Sequence, residues 1–199
     1  MVTSAHPASP AAGLNEEQQR TLLQIARESI RLGLETGRPR RVEPRDYDET
    51  LRARGAAFVT LHTFGELRGC IGHLEAIQPL VVDVADNAFA AAFRDPRFPP
   101  LAAAELDPLH IEISVLTPAQ PLSFSSEAEL LALIEPGRDG LILEDGYARG
   151  TFLPAVWESL PDPRDFLRHL KLKAGLSPHY WSSSLRVSRY RTESFGEGG

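Results

Sequence analysis

The chain has 199 residues, 42% of them hydrophobic and 24% charged, with a net charge of -6 and one cysteine. That length and balance suit a soluble globular domain, single or two-lobed, with enough apolar side chains for a real core. One cysteine excludes an intramolecular disulfide framework, no apolar run is long enough for a membrane helix, and the acidic balance argues against a general nucleic-acid binder.

No basic stretch followed by an apolar core opens the chain, so the expectation is a cytoplasmic protein without membrane attachment. Residues 1–13, rich in Ala, Ser and Pro, read as a disordered tail ahead of a domain spanning 14–195. Asn15 and Gln18 form a reciprocal helix cap, Leu22, Ile25, Ala26 and Ile30 recur at helical spacing, and Gly37 is the stop. A basic loop from Arg38 to Pro44 precedes a short helical or irregular segment from Asp46 to Arg54. The β-prone run Ala57 to Leu61, the turn Thr63-Phe64-Gly65-Glu66 and a second apolar run from Leu67 predict a β-hairpin. A helix with a small-residue face is expected from Leu80 to Phe93, ended by the prolines at 96, 99 and 100. Leu109 to Leu116 alternates apolar and polar residues and predicts a half-buried strand. Ser126 and Glu129 open a short helix to about Ile134. Gly140 to Glu144, an Asp145-Gly146 turn and Gly150 to Leu153 predict a second hairpin. Pro154 to Leu160 reads as helical, Asp162-Pro163 starts a helix to Lys173, and Arg186 to Phe195 reads as a last strand before a flexible end at 196–199. The order predicts an α+β fold, a largely antiparallel sheet with flanking helices.

The densest chemistry lies in Leu67-Arg68-Gly69-Cys70-Ile71-Gly72. Strand alternation would set Arg68, Cys70 and Gly72 on one face. Gly69 and Gly72 suggest a bulge or a close approach to the backbone. Arginine beside cysteine on one face favours a reactive thiolate; the alternative is a small buried hydrophobe. Two functional readings follow. In a binding or adaptor module, Arg68 would hold a carboxylate or phosphate, Gly69 and Gly72 would admit it to the backbone, and His73 and Arg149 would add contacts. In an enzyme, Cys70 would be the nucleophile and His62, across the hairpin, its base, with Arg68 and the amides near Gly69 and Gly72 polarising an oxyanion. Asp139, Glu144 and Asp145 read more simply as turn polarity than as acid–base groups. Neither a metal nor a cofactor is expected, since no pair among His62, Cys70, His73, His110 and His169 has metal-site spacing. The basic residues Arg38, Arg40 and Arg41, and Arg186, Arg189 and Arg191, read as solvated faces, with a phosphate or RNA contact as the alternative.

The hexapeptide resembles the hallmark of the AMMECR domain family. Further blocks match in order: Gly55 to Leu61, Phe93 to Phe98, Ile111 to Leu116, Asp139 to Leu143, Gly150 to Pro154 and Phe166 to Leu170. The resemblance covers roughly Leu14 to Phe195. It departs at His73, where a small polar residue such as threonine is expected. It implies a two-lobed α+β domain with the hexapeptide near a groove. It also implies a three-part system with a MEMO-type protein and a radical-SAM enzyme, and leaves the reaction open.

Overall fold

The structure, a computed structural model, describes residues 13–198, so the expected disordered stretch lies, apart from Gly13, outside the described residues. In chain order the elements are α1 (Glu16–Thr36), a 3-10 turn (Pro44–Asp46), α2 (Glu49–Arg52), β1 (Arg54–Gly55), β2 (Ala57–Thr63), β3 (Glu66–Gly72), β4 (Gln78–Pro79) and α3 (Leu80–Phe93). Then come a 3-10 turn (Ala103–Glu105), β5 (Leu109–Leu116), β6 (Gln120–Pro121), α4 (Glu127–Leu133), β7 (Gly140–Asp145) and β8 (Ala148–Phe152). A 3-10 turn (Pro154–Glu158), α5 (Pro163–Lys173), β9 (Arg186–Tyr190) and β10 (Thr192–Gly196) complete the chain. The fold is α+β, and every strand pairing with a described register is antiparallel.

The chain divides into two compact units, one running to Leu116 and resuming at Glu193, the other Thr117–Thr192. The first unit holds a four-stranded sheet in the order β10-β5-β2-β3. Along β2 and β5 every second residue is buried, so Val59, Leu61, Ile111 and Ile113 form one apolar face. Helices α1 and α3 bury Leu22, Ile25, Ile30, Val81 and Val84 in the same core. Burying one such aliphatic side chain stabilises the fold by roughly 1.5–3 kcal/mol. Alanines at 85, 88, 91 and 92 let α3 lie close to its neighbours. Asn15 and Gln18 cap α1 reciprocally, and Gly37 ends it at φ 71°.

The second unit has a sheet in the order β6-β9-β7-β8 and its own core of Leu130, Leu141, Leu143, Trp157, Phe166, Leu170 and Val187. Trp157 stacks on Phe166 with ring centroids 3.7 Å apart, and its indole N–H donates to the Asp139 carbonyl at 2.7 Å. Lys171 is fully buried and bonds Glu127 at 2.7 Å.

Two expectations at the end of the chain need correction. The run 186–195 is two strands, β9 and β10, in different sheets, with Arg191 between them hydrogen-bonded to Thr117. The end expected to be flexible from residue 196 is tied down at its start. Strand β10 includes Gly196, and Glu197 accepts from Arg27 Nε at 2.6 Å and from the Ile111 N–H at 3.0 Å.

Candidate functional site

The hexapeptide is β3, at the edge of the first sheet, paired with β2 through a two-residue turn at Phe64 (φ 53°) and Gly65 (φ 82°). Pairing runs Thr60↔Cys70 and Leu61↔Gly69, then jumps to His62↔Leu67. Arg68 is therefore the extra residue of a β-bulge, and the simple alternation expected for this strand breaks there. Cys70 and Gly72 keep one face, whereas Arg68 is redirected into the protein.

At the far end of the hairpin the His73 N–H donates to the Ala57 carbonyl at 3.2 Å, so the alternate pair Thr60/Cys70 exchanges no backbone bonds. In such a pair side chains lie closest, and Thr60 Oγ1 and Cys70 Sγ are 3.3 Å apart. The Cys70 N–H points off the sheet edge and meets Asp95 Oδ2 at 2.9 Å. Asp95, only 4% exposed, also accepts from the Arg97 N–H at 3.1 Å and from Arg97 Nε and Nη2 at 3.0 and 2.7 Å. Arg97 Nη2 reaches the Cys70 carbonyl at 3.4 Å. Asp95 and Arg97 thus bind the edge backbone as another strand would. The guanidinium of Arg97, with the two N–H groups, holds the Asp95 carboxyl well below the ordinary carboxylate range.

Cys70 sits on the sheet face opposite the helices, and that face is partly exposed. Thr60 lies between Cys70 and Glu112 in one cross-strand row, and His62 is flanked by Leu67 and His110 in the next. His62 and Cys70 are diagonal neighbours on this face. The sulfur's described hydrogen bond is to Thr60, and among the described residues none joins it to an imidazole. Phe58 and Ser114 share the face. The outward residues of β2, β3 and β5 include no Lys and no Arg.

Arg68 is committed elsewhere. Its Nε and Nη2 grip Glu105 at 2.6 and 3.0 Å, Nη2 also donates to the Pro99 carbonyl at 3.0 Å, and its Cζ lies 5.9 Å from the Phe98 ring centroid. Arg68 Nη1 is buried without a hydrogen-bond partner among the described residues. At neither glycine of the motif is the position of a Cβ open. A Cβ on Gly69 would stand 2.2 Å from the Ala91 carbonyl oxygen of α3, and one on Gly72 2.4 Å from the Phe58 ring. Arg149 lies in the second unit, where it pairs across strands with Glu144 at 3.4 Å.

His73 leaves the end of β3 and places Nδ1 2.6 Å from Asp83 Oδ1. Asp83, on α3, is completely buried and also receives the N–H of Ala57 at 2.9 Å and the amides of Gln78 and Asn87 at 3.1 and 3.0 Å. Burial pushes its carboxyl up, against His73, Gln78 and the Ala57 N–H, which pull it down. Among the described residues no three His, Cys, Asp or Glu side chains are grouped to hold a metal.

A family model described as AMMECR1 matches residues 23–195. The chain belongs to the AMMECR1 family. A protein of Methanothermobacter thermautotrophicus is 42% identical over 194 residues, covering 94% of this chain and 98% of the relative. A Thermofilum pendens protein is 40% identical over 201 residues, 92% of each chain. The crystal structure of an uncharacterised Pyrococcus horikoshii protein is similar at a TM-score of 0.79 and 36% identity, covering 92% of this chain and 93% of that one.

The groups that bind the hexapeptide are Asp95, Arg97 and Glu105, while Asp83 and Asn87 hold its neighbours Ala57 and His73, and sequence reasoning assigned none of the five to it. Asp95 and Arg97 fall inside a block that carried the resemblance, and that was their only signal. No helix among the described residues of this AMMECR1 protein is long and apolar enough to cross a membrane.

Proposed function

We propose that the protein is a binding module, an adaptor in a three-part system with a MEMO-type protein and a radical-SAM enzyme, and that the outward face of β2, β3 and β5 is where it receives a partner segment. The observation that carries this reading is the fate of the motif's cation. Arg68 is neutralised inside the protein by Glu105, the outward side chains of β2, β3 and β5 offer hydroxyl, imidazole, thiol and carboxylate groups, and Arg97, the cation at the Cys70 carbonyl, is already paired with Asp95. A small anion would have to compete with Asp95 for the Arg97 guanidinium, so an extended partner segment suits the face better than a free phosphate or carboxylate. Cysteine catalysis is the weaker alternative, because the hydrogen bond at Cys70 Sγ is with a threonine and not with a base.

The test is calorimetric titration of the full chain with the MEMO-type protein of the same organism. Cys70→Ser should bind as wild type does, whereas Thr60→Arg, in the middle of the same row, should weaken binding at least about tenfold, a loss of about 1.4 kcal/mol. Equal binding by both variants removes this face from the interface. A turnover abolished by Cys70→Ser with the fold intact would replace the adaptor reading with the enzyme reading.

A further inference from the structure

The His73–Asp83 pair has an arrangement that edge packing alone does not require. Asp83 Oδ2 accepts from the Ala57 N–H and from Asn87, and Oδ1 accepts from Gln78, so three donors besides His73 favour the carboxylate over the acid. The Asn87 amide has two hydrogens, and its nitrogen lies 3.0 Å from Asp83 Oδ2 and 3.1 Å from the Ala57 carbonyl. Both hydrogens are engaged, so the further approach of Asn87 to His73 Nδ1, 3.3 Å, supplies that nitrogen with no proton. A carboxylate can only accept. His73 Nδ1 must therefore carry a hydrogen and donate it to Asp83, which leaves the lone pair on Nε2. Nε2 has no partner among the described residues, and the side chain is 42% exposed.

We propose that His73 is a proton-accepting site for a neutral or cationic protic group, a hydroxyl, water or amine, with Asp83 as the positioning residue that fixes the ring and its tautomer. In the step, the X–H bond of the bound group breaks with its electron pair staying on X, and the Nε2 lone pair forms an N–H bond with the proton. The resulting imidazolium keeps its Nδ1–H on Asp83, and the proton passes on to solvent. The preference against anions follows from Asp83 and from a second carboxylate, Asp86, which Gln78 Nε2 joins to the same cluster at 3.3 Å. The site is separate from the proposed docking face, because His73 turns toward α3 whereas Cys70 faces away from it. It belongs to this chain's own sequence, since the family resemblance leads to a small polar residue at this position.

Two measurements on the full chain test it. Nitrogen-15 NMR of the wild-type protein should show the neutral His73 ring protonated at Nδ1. A ring protonated at Nε2, with Nδ1 accepting from a neutral Asp83, overturns the proposal without any variant. Carbethoxylation by diethyl pyrocarbonate, mapped by mass spectrometry, should modify His73 faster than His62 or His110. In Asp83→Asn that rate should fall roughly tenfold, the lower end of the loss seen when the partner that orients a metal-ligating histidine is removed. A merely structural pair would leave His73 reacting no faster than the other histidines, and the assignment would fail.

Discussion

At pH 7 Asp95 is ionised in a place almost closed to water, and its charge is stabilised by one arginine and two backbone N–H groups. Its folded-state pKa lies below the ordinary value of 3.8. The stability it contributes is therefore complete above the unfolded value and disappears as the pH falls through it toward the folded one. Glu105, lowered by Arg68, acts with the same sign, while Asp83, raised by burial, acts with the opposite sign. Asp95→Asn isolates one contribution from this sum. It should cost about 1–3 kcal/mol at neutral pH, and the loss relative to wild type should shrink in acid. Urea midpoints of both proteins from neutral pH to about pH 2 measure this directly. A difference that stays constant with pH would mean that Asp95 is not an anion clamped to the Cys70 edge. Nothing in the local sequence announced this role. Asp95-Pro96 reads as a helix terminator, which it is, but the N–H that Asp95 satisfies lies 25 positions earlier.

The hairpin was legible as an element and illegible in its detail. Alternation and the Phe64-Gly65 turn located both strands, and the glycines signalled either a bulge or a close approach. Both occur: the bulge is at Arg68, and the approach at Gly69 is made by the backbone of α3. A bulge depends on how the partner strand pairs, so the sequence of β3 could not say that Arg68 would leave the face of Cys70. Nor could it distinguish a glycine that admits a ligand from one that admits a helix. Gly69→Ala decides between these roles. Its Cβ would stand 2.2 Å from a backbone oxygen, which cannot rotate aside, so α3 must shift. The expected cost is about 3 kcal/mol, seen as a lower urea midpoint with an unchanged slope. A stability within about 0.5 kcal/mol of wild type would show that β3 and α3 are not in this contact.

Across the whole chain, the feature least visible in sequence is that the first unit closes with its last residues. The run from Arg186 to Phe195 contains no Gly or Pro to mark a break, so it reads as one strand. The division at Arg191 follows from long-range pairing, β9 to β7 and β10 beside β5. Two glutamates then tie the returning strand down. Glu193 receives the Leu14 N–H at 3.0 Å and the Gln19 amide at 3.1 Å, and Glu197 holds Arg27 through Nε and Nη2, each at 2.6 Å. The described N-terminal helix and the C-terminal strand are therefore parts of one cooperative unit, although the second unit intervenes between them. Deleting residues 193–199 should remove Phe195 from the core edge, leave Arg27 without its carboxylate and turn β5 into an uncovered edge strand. Thermal unfolding should come earlier, and sedimentation should show self-association. Glu197→Ala, which leaves the strand in place, should cost only about 1–2 kcal/mol. If the truncated protein unfolds at the wild-type temperature, the sheet does not depend on β10. If the truncation costs no more than Glu197→Ala, the ion pair alone accounts for the tie and the strand adds nothing to it.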